Sequence, residues 1–257
     1  MKGLIPCAGL GTRLHPLSLA VPKELLPIGS YPAVHYHAQD LLAADIKDIV
    51  VIINEKKTAI KDYLQGVFPE ADFQFVCQEE PKGLGHAMLL ARESIGENPI
   101  VMLLPDNIFF GSEPLSKSLI EAHKRTGRSC VTNFKDGRYK RGSRAGMELV
   151  SIKGDCNLIR AVHPLEDLPK NRRVFFGPAA FLFTLAVFDH LEAKSRSWDF
   201  SRGEYSERPA VEELVKTRSL DGVWVEGQCF DIGTIDGYLE CLQFVLTQNR
   251  TALADST

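Results

Sequence analysis

Two short motifs near the start of the chain constrain its fold and chemistry more than anything that follows them. Leu4-Ile5-Pro6-Cys7-Ala8-Gly9-Leu10-Gly11-Thr12-Arg13-Leu14 is an apolar run that ends in small residues, and Pro22-Lys23-Glu24 comes soon after. Small residues at a strand end let backbone N–H groups approach an anion. Arg13 and Lys23 then supply positive charge, a combination that suits a polyphosphate. Ala8, Gly9, Gly11, Thr12 and Arg13 are therefore candidate nucleotide contacts. The same stretch also reads as a glycine-rich turn after an edge strand, with Arg13 merely solvated. Two other phosphate motifs are not met: Leu14 stands where a dinucleotide fingerprint needs its third glycine, and Thr12-Arg13 follows Gly11 where a Walker loop needs Lys-Ser/Thr.

Downstream, Pro32 can open a helix whose Val34, Ala38, Leu41 and Leu42 share one apolar face. His35 and His37 stand two residues apart on it and point to nearly opposite sides, so a shared metal ion is not expected. Asp48-Ile49-Val50-Val51-Ile52-Ile53 is a β-branched run of the kind covered on both faces in a parallel sheet. Helix and strand then alternate: a helix over 57–65, a strand over 73–77, a helix over 84–95 and a buried strand over 100–104. Residues 115–126 and 129–132 repeat the pair. This alternation predicts an α/β fold, a Rossmann-like doubly wound sheet with ligands collected beyond the carboxyl ends of its strands. Residues 147–152 alternate and 153–155 turn into Asn157-Leu158-Ile159-Arg160, which reads as a smaller β-rich insertion beside that sheet. Helices over 185–193 and 210–217, a strand at 223–225 and a last helix ending near 246 complete the pattern.

Three loops converge on one rim under this scheme: residues 7–13 after the first strand, Gln78 with Gly83-Leu84-Gly85 after the third, and Pro105-Asp106-Asn107 after the fourth. The Gln78 amide both donates and accepts, as reading the edge of a uracil or thymine ring requires. A solvated loop glutamine is the alternative. Asp106, a carboxylate directly after a buried run, suits a hard cation such as Mg²⁺, or else caps a turn. Phe230-Asp231-Ile232-Gly233-Thr234 holds another carboxylate that could simply cap the helix after it.

Composition narrows the partners. With 25% charged residues and a net charge of −3, the chain has no general attraction for nucleic acid or an anionic membrane, so phosphate chemistry must rest on local cations. The basic loop from Lys135 to Arg144 reads as a solvated turn or as a guide for anionic substrates. Six scattered cysteines without a Cys-x-x-Cys pair argue for reduced thiols over a zinc site or a disulfide framework. No signal-peptide core and no long apolar run are visible, so a cytoplasmic protein is expected.

Ala8-Gly9-Leu10-Gly11-Thr12-Arg13 followed by Pro22-Lys23-Glu24-Leu25-Leu26-Pro27 resembles the signature of the sugar-1-phosphate nucleotidylyltransferases. The resemblance is nearest to the bacterial UTP-glucose-1-phosphate uridylyltransferases and next to the glucose-1-phosphate thymidylyltransferases, and it runs to about Leu246. It implies one domain over 1–257: a nucleotide-binding half (1–134), a β-rich sugar-binding part (135–230), and a tail (231–257) with a metal-binding aspartate and the C-terminal helix. It further implies that Gln78 and Gly83 meet the base, that Asp231 completes a Mg²⁺ site with Asp106, and that Gly146, His163 and Gly177 lie on the sugar phosphate side. Relatives are commonly dimers or tetramers. Base choice stays open: Lys82-Gly83-Leu84-Gly85-His86-Ala87 resembles the uridylyltransferases and Asn107-Ile108-Phe109-Phe110-Gly111 the thymidylyltransferases.

The sugar side departs from the family pattern. Its Tyr-Gly stands here as Ala145-Gly146, its Glu-Lys-Pro as Val162-His163-Pro164, and Pro178 replaces a second glycine after Gly177. Val162 has no side-chain acceptor, and a histidine of ordinary pKa is largely neutral at pH 7. The implied reaction joins a sugar 1-phosphate to the α-phosphorus of UTP or dTTP and expels pyrophosphate. Arg13, Lys23 and Asp106 act as catalytic residues in this reading, with Lys23 also on the sugar phosphate. A weak or inactive nucleotide-binding regulatory homologue is the competing reading.

Overall fold

The computed structural model describes residues 1–134, 145–151, 157–164, 174–176 and 179–254. In chain order its strands are β1 (Lys2–Pro6), β2 (Pro27–Ile28), β3 (Tyr31–Pro32), β4 (Asp48–Ile53), β5 (Asp72–Cys77), β6 (Ile100–Leu103) and β7 (Asn107–Gly111). They continue with β8 (Ser129–Phe134), β9 (Ala145–Ser151), β10 (Asn157–Pro164), β11 (Val174–Phe176), β12 (Ala180–Phe183), β13 (Leu220–Val225) and β14 (Gly227–Asp231). The α-helices are α1 (Leu17–Ala20), α2 (Ala33–Ala43), α3 (Thr58–Val67), α4 (Leu84–Leu90), α5 (Arg92–Ile95), α6 (Leu115–Thr126), α7 (Ala186–Ser195), α8 (Arg208–Lys216) and α9 (Ile235–Ala254).

A mixed sheet of order β11-β9-β10-β13-β8-β12-β6-β1-β4-β5 runs through the molecule. Its β5-β4-β1-β6 end is parallel, as the apolar runs require. Alternate residues of these strands serve opposite faces: Leu4, Val50 and Ile52 enter one buried cluster, while Ile5, Val51 and Ile53 enter the other. β12 is antiparallel to both neighbours and turns the sheet from parallel to mixed. The β-rich segment β9-β10-β11 is joined to this sheet through two rungs, Asn157 to Gly222 and Leu158 to Asp221. The chain then re-enters the main sheet with β12 and β13.

The expected helix over 84–95 is divided at Ala91 into α4 and α5. Among the strands without a counterpart in the sequence reading are β7 and β14, which pair with each other, antiparallel, in a small separate sheet. Neither alternates cleanly, and their partners lie more than a hundred residues apart, so no local period announces them. A third apolar cluster, with Leu14, Leu26, Ile28, Ile108, Ile232, Tyr238 and Cys241, packs α9 beneath this small sheet and the N-terminal motifs.

Helix α6 receives its cap from another element. Leu115 N–H and Ser116 N–H donate to Asp40 Oδ2 and Oδ1 at 2.7 and 3.0 Å, and the Ser116 hydroxyl donates to the same carboxylate. Burial raises the Asp40 pKa from its ordinary value against these three hydrogen bonds. Asp40→Ala is expected to lower stability by about 1–2 kcal/mol, read as a lower urea midpoint at unchanged slope. An unmoved midpoint would show that α6 needs no such cap.

Cys7, Cys130 and Cys241 are buried, Cys229 is half-buried and Cys77 exposed. Among the described residues, no helix is long and apolar enough to cross a membrane.

Candidate functional site

The two N-terminal motifs are joined by a residue outside both. Lys57 Nζ donates to the carbonyls of Cys7 and Gly9 at 2.6 Å each and to Glu24 Oε2 at 2.7 Å. Asn54 Nδ2 donates to the Ala8 carbonyl at 2.9 Å. The Cys7 and Gly9 carbonyls thus converge on one Nζ. Because C=O and N–H of a trans peptide point opposite ways, the N–H groups of Ala8 and Leu10 point away from Lys57 and that of Gly9 away from Asn54. A Cβ at Gly9 would meet no atom within 4 Å, so the space above it is open to a ligand. Gly11 has a left-handed φ of 66° that disfavours other residues, and its carbonyl accepts from Ser18 at 2.8 Å.

The small sheet assembles the carboxylates. Asp231 pairs with Asn107 across β14 and β7, and Ile232 N–H donates to the Asp106 carbonyl at 2.8 Å. Asp106 Oδ2 lies 3.1 Å from Lys23 Nζ and 3.5 Å from Arg13 Nη2, while Arg13 Nη1 lies 3.4 Å from Asp231 Oδ2. A Cβ on Gly233 would come within 2.7 Å of Arg13 Nη2, 2.9 Å of Asp231 Oδ1 and 3.2 Å of Asp106 Oδ2. Only a bare glycine leaves that shared point clear.

Electrostatics separates the two acids. Burial pushes the Asp106 pKa up, but the charges of Lys23 and Arg13 outweigh it and hold the carboxyl below its ordinary value. Asp231 is raised by burial and by the Asp106 charge, with Arg13 opposing. Lys23 loses by burial and gains more from Asp106 and Glu24, so it stays cationic.

His37, read from the sequence as a plain helix residue, anchors the turn that carries Asp106. Its Nε2 lies 3.0 Å from the carbonyls of both Leu104 and Asn107. His35 instead stacks on Tyr31 and meets the Tyr63 hydroxyl at 2.9 Å, so the two histidines share no ligand position.

Ala8, Gly9, Lys23, Gln78, Gly83 and Asp106 line one cavity. Arg13 and Asp231 join it through Asp106, and Gly11 lies behind Lys23, at the head of the turn that begins with exposed Thr12. The polar segment before α8 packs on the Gln78 and Gly83 side: Tyr205 N–H donates to the Lys82 carbonyl at 2.8 Å, Gly85 N–H to the Tyr205 carbonyl at 2.9 Å, and Glu204 reaches the cavity wall. Gly83 has φ of 99°, and a Cβ there would strike the Tyr205 backbone. Lys57, His37, Glu204 and Tyr205 escaped the sequence reading. Each acts through a partner far along the chain, and no local spacing marks them.

Of the sugar-side candidates, Lys23 lines the cavity. Gly146 pairs with His163 across β9 and β10 and with Phe176 across β9 and β11. His163 is not among the described residues lining the cavity. Gly177 and Pro178 lie outside the described residues, as do the basic loop over 135–144 and Cys156. Val162 packs against the core, as an apolar residue in this register should.

A profile of the family described as Nucleotidyl transferase matches residues 2–248. The chain belongs to the nucleotidyl transferase family. UTP-glucose-1-phosphate uridylyltransferase 2 of Staphylococcus saprophyticus is similar to it, 30% identical over all of this chain and 93% of the relative. A putative UTP-glucose-1-phosphate uridylyltransferase of Bacillus subtilis is 28% identical over 97% of this chain and 98% of its own. Among solved structures, a UDP-glucose pyrophosphorylase complexed with UDP-glucose superposes with a TM-score of 0.82 at 22% identity, covering 96% of this chain and 98% of that one. A UTP-bound UGPase from Acinetobacter baumannii gives 0.80 at 21%, over 95% and 92%. This nucleotidyl transferase therefore shares their α/β fold, with the mixed sheet described above.

Among the described residues no three His, Cys, Asp or Glu side chains converge as a metal-binding group. The Asp106 and Asp231 pair nonetheless fits a hard cation. Mg²⁺ is usually held by one or two carboxylates, with substrate phosphates and water completing its shell, and the bare position at Gly233 leaves both acids facing one space.

Proposed function

We propose that this nucleotidyl transferase transfers a nucleotidyl group from UTP or dTTP to a sugar 1-phosphate, releasing pyrophosphate and forming a nucleoside diphosphate sugar. The observation that carries this reading is the convergence of Lys23, Arg13, Asp106 and Asp231 beside a cavity that Gln78 also lines. A phosphate oxygen of the sugar 1-phosphate bonds to the α-phosphorus, and the bond from that phosphorus to the bridging oxygen of the β-phosphate breaks. The nucleophile needs no general base, because a phosphate monoester with a second pKa near 6 is mostly dianionic at pH 7.

Catalysis then reduces to alignment and charge neutralisation. The Ala8, Gly9 and Leu10 N–H groups receive phosphate oxygens, with Gly11 and Thr12 shaping the turn that aims Arg13. Arg13 neutralises the departing pyrophosphate. Lys23 bridges the α-phosphate and the incoming phosphate. Asp106 and Asp231 hold Mg²⁺, which when bound offsets the negative charge of the phosphates. Gln78 and Gly83 take the base, and Gly146, His163 and Gly177 serve the sugar phosphate.

The test is pyrophosphate release over a panel of sugar 1-phosphates against UTP, dTTP, CTP and GTP. Release with UTP or dTTP is expected, lost on chelation of divalent cations, and Asp231→Asn is expected to raise the Mg²⁺ needed for half-maximal rate about tenfold or more. A regulatory homologue that binds nucleotide without transfer is the second reading, favoured by Val162 and His163 in place of the family's Glu-Lys pair. Nucleotide binding with no pyrophosphate from any sugar 1-phosphate would establish it.

A further inference from the structure

The Gln78 side of the cavity holds a hydrogen-bond arrangement that fixes which face of Gln78 a base meets. The Gly83 carbonyl already accepts from Ala87 N–H at 3.0 Å in the first turn of α4, and a carbonyl cannot donate. The Gln78 atom 3.1 Å from it is therefore the amide nitrogen Nε2. The same nitrogen lies 2.9 Å from His86 Nδ1. An NH₂ group has two hydrogens, and each now has a partner, so Nδ1 must accept and the imidazole carries its proton on Nε2. Burial and the Lys82 charge lower the His86 pKa, against Glu80, which agrees with a neutral ring. Gln78 is 3% exposed and lines the cavity, leaving Oε1 as its free hydrogen-bonding atom there, an acceptor.

We propose that His86 is a positioning residue that locks Gln78 as an acceptor-only probe, so that this enzyme selects pyrimidines with an N3–H and rejects cytosine. Uracil and thymine carry a proton on N3 and cytosine a lone pair. Against a fixed oxygen the first pair gains a hydrogen bond, while cytosine sets acceptor against acceptor in a buried site. Without His86, one Gln78 N–H lacks a partner, and the Gly83 carbonyl alone opposes the turn of the amide that brings an N–H toward cytosine N3. The inference rests on the proposed nucleotide chemistry for its ligand and on the hydrogen-bond geometry for its mechanism.

Calorimetric binding of UTP, dTTP and CTP by the full chain, together with kcat/KM from pyrophosphate release, tests it. His86→Leu is expected to lower the UTP-to-CTP preference about tenfold, leaving the UTP-to-dTTP ratio unchanged because Gln78 does not read the C5 methyl. His86→Asn places an amide oxygen near the position of Nδ1 and is expected to restore the preference, which a merely structural role for His86 would not predict. Imidazole ¹⁵N shifts of the wild-type chain are expected to show Nδ1 bare, a readout that requires no variant to fold. The proposal is overturned if the preference of His86→Leu stays within about twofold of wild type, if the wild type prefers CTP, or if Nδ1 is protonated. A wild type that binds UTP over CTP without turnover removes the transfer reaction and leaves this inference standing. One that binds no nucleotide overturns both.

Discussion

Lys23→Ala is expected to lower kcat by about 10²- to 10³-fold while the nucleotide KM moves little. Lys23 is only 12% exposed and its Nζ sits 3.1 Å from Asp106, so the charge is held in one place before any substrate arrives. In the proposed reaction a phosphate dianion must approach an already anionic α-phosphate. Two unit charges about 4 Å apart repel by about 4 kcal/mol at an effective dielectric near 20. That repulsion is greatest at the transition state, whereas the nucleotide alone keeps its backbone N–H contacts and Arg13. The loss should therefore fall on turnover more than on binding. Lys23→Arg keeps the charge but not the compact ammonium, and should recover part of the rate. Initial-rate kinetics over a UTP series checks all of this, with the thermal midpoint confirming that each variant is folded. Intact turnover in Lys23→Ala, or a raised KM at unchanged kcat, would remove Lys23 from the reaction centre.

Parts of this architecture were legible because their cause is local. The β-branched run of β4 and the apolar run of β6 announce buried parallel strands, and Gly9 and Gly11 announce the turn that opens beside them. Asp106 was visible because a strand ends just before it. Its nearness to Asp231 was not, since it depends on β7 and β14, five-residue strands whose pairing is set by tertiary packing on α9. Family resemblance supplied that pair where spacing could not. The orientation of Gln78 was hidden for a related reason: the amide alone can present either face, and the Gly83 carbonyl chooses one that the His86 ring then supports. On the sugar side the sequence showed departures from the family at Val162 and His163, and the β9 to β10 register gives the apolar substitution a reason, because Val162 packs on the core.

Lys57 was the least legible residue and yields the largest expected change in stability. Lys57→Met is expected to destabilise the fold by about 3–5 kcal/mol, because it leaves a buried carboxylate without its counter-charge. Glu24 is fully buried, its Oε2 meets Lys57 at 2.7 Å, and its Oε1 has no hydrogen-bond partner among the described residues. Burial already raises the Glu24 pKa against Lys57 and Lys23. Without Lys57 that rise grows, and the folded state holds a proton that the unfolded chain releases. The stability of Lys57→Met should therefore be greatest below the ordinary glutamate pKa and fall as pH rises through the elevated one. Urea midpoints across pH check the sign. The double variant Lys57→Met with Glu24→Leu removes both charges and should recover most of the lost stability, since a buried ion pair is often matched by apolar residues of similar size. It should not recover nucleotide affinity. The Cys7 and Gly9 carbonyls would still lack the donor that turns their peptides, so the UTP KM should stay raised in a fully folded protein. If the double variant regains both stability and affinity, Lys57 serves only to neutralise Glu24, and the glycine-rich turn holds its shape without it.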